Sequence, residues 1–178
     1  MMFRLVLLSA CVAFCGACSC LPNYFPDALC RPSILFRGAA ISEGTEGKEP
    51  EQPTNPNMGI FHYHYYTRVF TVRVDQAFRM PASLRNNQTI TIKTSSSGSM
   101  CGRGFSLNED TLFAAYMGQS GGVRTNSCSP NSRWNYLTAR SKQLLESNGL
   151  PQYCANPDQN EGNRFLVPEV RPILATKP

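Results

Sequence analysis

FHYHYYTRVFTVRVDQAF, residues 61–78, is the stretch on which the fold turns. It is rich in aromatic and β-branched side chains, and its second half alternates cleanly. Tyr66, Arg68, Phe70, Val72 and Val74 share one face, and Tyr65, Thr67, Val69, Thr71 and Arg73 share the other. A period of two puts successive side chains on opposite sides of a strand, so the segment predicts a strand with one face turned inward. It is far longer than an ordinary strand of about 5–6 residues. A strand of that length twists strongly, which suits one that takes part in both halves of a small barrel.

Outward from this segment, ILFRGAAI at 34–41, TITIKT at 89–94, TLFAAYMG at 111–118 and GVRTNS at 122–127 supply four more strands. Five strands joined by Gly- and Ser-rich loops predict a mainly β fold, with the five-stranded OB-type barrel the natural candidate. Residues 42–59, SEGTEGKEPEQPTNPNMG, hold almost no apolar side chain and predict a long exposed loop. Their glutamates fit a solvated loop better than a catalytic carboxylate pair. One helix stands out, with a second small one allowed. Trp134, Leu137, Ser141, Leu144 and Leu145 fall at helical spacing, Asn131 or Ser132 offers a cap, and Asn148-Gly149 with Pro151 ends it.

Residues 1–17, MMFRLVLLSACVAFCGA, combine Arg4, a short apolar run and small residues, the pattern of a secretory signal peptide. Cys15 and Ala17 occupy the −3 and −1 positions of a cleavage that leaves Cys18 first. Two other readings fit less well. A buried N-terminal helix ignores the small-residue end, and a lipidation site ending at Cys11 has a very short apolar segment before it. Cleavage takes the net charge from +5 to +4 and the eight cysteines to six: Cys18, Cys20, Cys30, Cys101, Cys128 and Cys154. An even set in an exported chain reads as three disulfides in a secreted, extracellular protein, and composition alone leaves fifteen connectivities open. The segment 18–30, CSCLPNYFPDALC, is then expected to be held by covalent bonds more than by regular structure, and residues 155–178, with no Cys and four Pro, are expected to form a C-terminal tail without a second core of their own.

Several function classes drop out. There is no phosphate-binding loop, dinucleotide fingerprint or HExxH motif. His62 and His64 share a strand face but lack an evident third zinc ligand once every cysteine is paired. No cysteine is left as a nucleophile, and neither histidine has a Ser or Asp motif beside it, so the chain does not read as an enzyme. Its arginines are scattered without a basic run, which argues against nucleic acid and allows only weak attraction to sulfated matrix polysaccharides. No stretch is long enough to span a membrane after residue 17. Asn87-Gln88-Thr89 is an N-glycosylation sequon.

The CSC start carries chemistry of its own. Cleavage after Ala17 gives Cys18 a free α-amino group next to its own carbonyl, and the two can close a five-membered chelate ring on a divalent metal. Catalytic zinc keeps one position open for water, which such a chelate can take. Disulfides at both Cys18 and Cys20 hold the terminus rigid in advance, so less binding energy is lost to ordering it.

The spacing C-x-C-x9-C, the distant Cys101-Gly102 and Cys128 followed by Trp134-Asn135 resemble the tissue inhibitors of metalloproteinases, the TIMP family. The likeness is to the family's N-terminal, netrin-like inhibitory domain with its OB-type barrel, and it covers residues 18–154. It implies the pairs Cys18–Cys101, Cys20–Cys128 and Cys30–Cys154. It further implies that Cys18 chelates the zinc of a secreted or membrane-anchored metalloproteinase, so that the chain needs no cofactor of its own and shares its partner's zinc. Ser19 matches the residue that points into the protease's S1′ pocket. Cys20, Leu21 and Pro22 would follow the substrate groove, Ser99 and Met100 would form a second contact segment, and the 42–59 loop would lie near the protease rim. Tyr24-Phe25-Pro26-Asp27 replaces the family's usual His-Pro-Gln stretch, Met100 its usual Val, and ILFRGAAI keeps the first-strand signature only approximately. The expectation is a monomeric, secreted inhibitor of zinc metalloendopeptidases. The competing reading is a netrin-like module that binds a matrix component or another secreted protein without inhibiting a protease.

Overall fold

Ile34, Leu35 and Phe36 are buried one after another, so the first strand has apolar surroundings on both sides. A computed structural model describes residues 18–20, 25–47, 66–119 and 121–155, and shows why. Strands β1 (Ile34–Glu46), β2 (Thr67–Arg79), β3 (Thr89–Ser95), β4 (Thr111–Met117), β5 (Val123–Arg124) and β6 (Ser132–Arg133) follow in chain order. They form one sheet in the order β1-β2-β3-β5-β4-β6, and a further β1–β4 pairing closes it into a ring. The β3–β5 pair is parallel and the others are antiparallel. Closure leaves few unpaired strand edges, which is how small β proteins avoid edge-to-edge association.

The ring has a core on each side. Ile34, Phe36, Ala40, Phe70, Val72, Ile90, Ile92, Phe113 and Ala115 fill its inside. Leu35, Leu112 and Ala114, the alternate residues of β1 and β4, face outward onto Trp134, Leu137, Leu145 and Leu150. Continuous apolar runs such as ILF and TLFAA are what burial on both faces requires. Inside, Phe36 stacks on Phe113 with ring centroids 5.2 Å apart, and Phe105 meets Phe70 edge-on at 5.2 Å. The alternation expected of β2 holds: Phe70 and Val72 are fully buried and Val74 packs against the same core. Arg68, on that face, lies over the Phe70 ring and pairs with Glu43 at 2.6 Å.

Four features depart from the sequence reading. The ring has six strands rather than five, because Ser132–Arg133 pairs with Thr111 and Leu112. Strand β1 runs on to Glu46, into the stretch expected to be loop, where Ser42 to Glu46 pair with Thr71 to Thr67. Those residues are exposed and polar, so no apolar pattern marks them, and the ion pairs Arg68–Glu43 and Lys93–Glu46 help hold them. The segment 18–30 includes a short helix, α1 (Phe25–Ala28). Finally, the helix begins later than its spacing suggested. Trp134–Tyr136 is a 3-10 turn, Thr138 is the cap, accepting from the Ser141 N–H at 3.2 Å, and α2 spans Ala139–Glu146. Asn148 (φ 55°) ends it, and Pro151 sits in the first turn of α3 (Leu150–Ala155), where its missing N–H costs nothing. Residues 61–65, with His62 and His64, the rest of the 42–59 loop past Gly47, residues 1–17 that were expected to be a signal peptide and the tail beyond Ala155 lie outside the described residues. Among the described residues no helix is long and apolar enough to cross a membrane.

Candidate functional site

Three disulfides join Cys18 to Cys101, Cys20 to Cys128 and Cys30 to Cys154, with Cα atoms 5.2, 5.2 and 5.5 Å apart. The first two fasten the start of the described chain to two turns. Cys18 is half-buried, Ser19 and Cys20 are exposed, and Leu21 and Pro22 lie outside the described residues.

The turn that receives Cys18 follows β3 and is built from backbone hydrogen bonds. The Ser97 carbonyl accepts from the N–H groups of Met100 (3.2 Å) and Gly102 (2.8 Å), and the Gly98 carbonyl accepts from the Cys101 N–H (3.1 Å). Cys101 adopts a left-handed conformation, φ 58°, which a non-glycine residue takes only when its surroundings enforce it. Gly102 is required next to it, because a Cβ there would collide with the carbonyl oxygens of Ser95 and Ser97. The result is a tight ridge with Ser99 and Met100 exposed on it, joined covalently to Cys18.

The turn that receives Cys20 is pinned by side chains. Asn126 Oδ1 accepts from the Cys128 N–H at 2.9 Å. The buried Asn131 does more: its Oδ1 accepts from the Ala114 N–H at 2.8 Å, and its Nδ2 donates to Thr125 Oγ1 at 2.9 Å. Thr125 in turn donates to the Ala114 carbonyl at 2.7 Å. Two side chains thus occupy the hydrogen-bonding groups of Ala114 in β4 and fix the 125–131 segment against the barrel. The Ser127 N–H then donates to the Cys101 carbonyl at 2.8 Å, which ties the two turns together. The sulfurs follow: Cys18 Sγ lies 3.8 Å from Cys128 Sγ and 3.5 Å from Ser127 Oγ. The sulfurs of Cys18, Cys101 and Cys128 fall within 4.8 Å of one another, but all are oxidised in disulfides and offer no thiolate to a metal.

The third disulfide serves the other end of the segment. Arg79 Nη1 donates to the carbonyls of Leu29 (3.1 Å), Cys30 (3.2 Å) and Pro32 (2.7 Å), and burial lowers the guanidinium pKa below its ordinary value. The Tyr153 hydroxyl donates to Asp27 at 2.7 Å, joining α3 to α1. Elsewhere a cleft of about 480 Å³ is lined by Arg37, Ala39, Arg73, Asp75, Gln76, Asn108 and Asp110. Its charges are matched within it: Arg37 makes a two-pronged pair with Asp110, whose hydrogen bond raises the guanidinium pKa, and Arg73 pairs with Asp75. Asn87 is exposed in the turn before β3.

The structure therefore brings Cys18, Ser19, Cys20, Ser99 and Met100 into one region, through the pairings that the family resemblance implied. Asn131 and Thr125 were not expected there, nor was Arg79 at the third disulfide. Asn131 was read as a helix cap, and only its long-range partner Ala114 reveals its role.

Fold and site together define a class: a disulfide-pinned β-barrel that presents a rigid N-terminal segment beside an exposed turn. A comparison with protein families matches residues 16–154 to the tissue inhibitor of metalloproteinase family, over most of the chain, and the chain belongs to that family. A comparison with curated proteins gives no match. Members of that family are metalloproteinase inhibitors rather than enzymes, so the chain is a metalloproteinase inhibitor with metalloproteinases as its partners; its three disulfides are in keeping with the extracellular setting general in the family.

Proposed function

We propose that the chain, once cleaved after Ala17, inhibits zinc metalloendopeptidases of the matrix type by chelating the active-site zinc through the α-amino nitrogen and carbonyl oxygen of Cys18. The observation that carries this reading is the double anchorage of a segment in which Ser19 and Cys20 are exposed. Residues 18–20 are bonded at Cys18 and Cys20 to two turns that are themselves hydrogen-bonded to each other. A ligand pair held in advance loses little freedom on binding. Ser19, exposed and small, suits a side chain that enters the S1′ pocket and tolerates many targets. Ser99 and Met100 add a second contact beside it, Leu21 and Pro22 continue along the groove, and secretion delivers the inhibitor to its targets.

The mechanism requires a free, neutral amine. An α-amino group has a reference pKa of about 7.7–8, and its protonated form cannot bind metal. Inhibition should therefore be strongest above that range and weaken as pH falls through it. The deciding experiment is a titration of purified mature protein against a panel of matrix and membrane-anchored metalloproteinases, beside a variant with one alanine added before Cys18. Mass spectrometry of the mature N-terminus accompanies it. Loss of inhibition in the extended variant, with unchanged folding, supports chelation. Full potency in that variant rules chelation out, and a mature chain beginning before Cys18, or with a blocked amine, favours a binding module without protease inhibition.

A further inference from the structure

Three methionines among the described residues occupy three different settings. Met80 is 8% exposed and belongs to the barrel core. Met117 is 41% exposed at the end of β4, opposite Val123. Met100 is the most exposed, at 54%, and stands on the ridge directly before Cys101.

We infer that Met100 is an oxidation site through which peroxide-type oxidants lower the inhibitory strength of the ridge; this rests on the inhibitory reading above. A methionine thioether attacks the peroxide, an S–O bond forms as the O–O bond breaks, and the sulfur loses two electrons while the peroxide is reduced to water. The product is methionine sulfoxide, polar where the thioether was apolar, and sulfoxide reductases reverse it. Reaction follows access to the sulfur, which favours Met100 and Met117 and protects Met80.

Consequence follows from position. The Met100 N–H is bonded to the Ser97 carbonyl, the Cys101 N–H to the Gly98 carbonyl, and Cys101 to Cys18. The backbone of the turn is therefore fixed and cannot carry the oxidised side chain off the ridge. The sulfoxide stays next to the disulfide that holds the metal-chelating residue, in the second contact segment of the inhibitory reading, where a desolvated and unpaired polar group weakens binding. Met100 takes no part in either core, so its oxidation leaves the fold intact.

The test treats the purified mature protein with graded hydrogen peroxide, maps oxygen gain at each methionine by peptide mass spectrometry, and titrates the products against a metalloproteinase that the untreated protein inhibits. Met100 and Met117 should gain oxygen well before Met80. Inhibitory potency should fall roughly tenfold in step with Met100 oxidation, the scale of one unpaired buried polar group. The thermal midpoint should stay unchanged. Met117→Leu should keep this sensitivity, Met100→Leu should lose it, and a methionine sulfoxide reductase should restore the wild-type protein. Equal loss of potency in Met100→Leu, or full potency with Met100 fully oxidised, overturns the inference, and so does Met100 reacting no faster than Met80. Untreated protein that inhibits no metalloproteinase overturns the inhibitory reading itself, and the regulatory role falls with it.

Discussion

Phe36, Phe70 and Phe113 are fully buried inside the barrel, whereas Ser19, Cys20, Ser99 and Met100 stand exposed on the ridge. The interior is ordered by removing apolar surface from water, at about 25 cal/mol per Å², and any side chain of the right size and shape serves. The ridge buries almost nothing, so covalent bonds, backbone hydrogen bonds and two pinned turns order it instead. A surface that must stay free to meet a partner cannot be held by burying it. The disulfides that close long loops supply what burial cannot, each by a chain-entropy estimate of roughly 4–5 kcal/mol, lessened by strain and overlap.

Breaking the two regions separately should therefore give different signatures. Phe113→Ala empties the centre of the aromatic stack and should cost about 3–5 kcal/mol, read as a lower urea midpoint. Molecules that remain folded should inhibit as before, and a loss of potency without loss of stability would contradict the division. Gly102→Ala places a Cβ against two backbone oxygens and should cost roughly 1–3 kcal/mol. Here potency should fall further than stability, because the displaced turn carries Cys101; equal falls in both would count against a ridge held by that turn. Asn131→Ala leaves the Ala114 N–H without its partner, worth about 1–3 kcal/mol, and should speed hydrogen exchange at that amide and weaken inhibition through Cys128. Thr138→Ala removes a helix cap away from the ridge and should cost about 1 kcal/mol in thermal stability with inhibition untouched. The smallest effect belongs to Asp110→Asn. It unpairs a partly exposed Arg37, and a surface ion pair contributes about 0–1 kcal/mol, less in high salt.

What the sequence revealed divides along the same line. Burial leaves a local signature, so Phe70, Val72 and Val74 could be placed on one face of β2 from alternation alone. The polar extension of β1 from Ser42 to Glu46 leaves none, because its order comes from pairing with β2 and from Arg68 and Lys93 elsewhere in the chain. Trp134 and Leu137 were read as a helix because three-residue spacing also fits a 3-10 turn leading to a capped helix. Asn131 could not be assigned from its neighbours, since its partners lie on β4 and at Thr125. The cysteine pairing was legible only through resemblance to a family, as spacing alone permits fifteen patterns.

The pairing has a consequence for how the molecule is made. Cys18, Cys20 and Cys30 each find a partner beyond residue 100, at separations of 83, 108 and 124 residues, and β1 needs β4 as well as β2. Contacts this distant along the chain make folding slow, because long loops must close before anything rewards the closure. During synthesis Ile34, Leu35 and Phe36 emerge with no β4 to cover them, Cys18 and Cys20 wait for Cys101 and Cys128, and Cys30 stays unmatched until the last helix appears. The residues made first are thus finished last: the segment 18–30 and strand β1 reach their final partners only when the second half of the chain is in place.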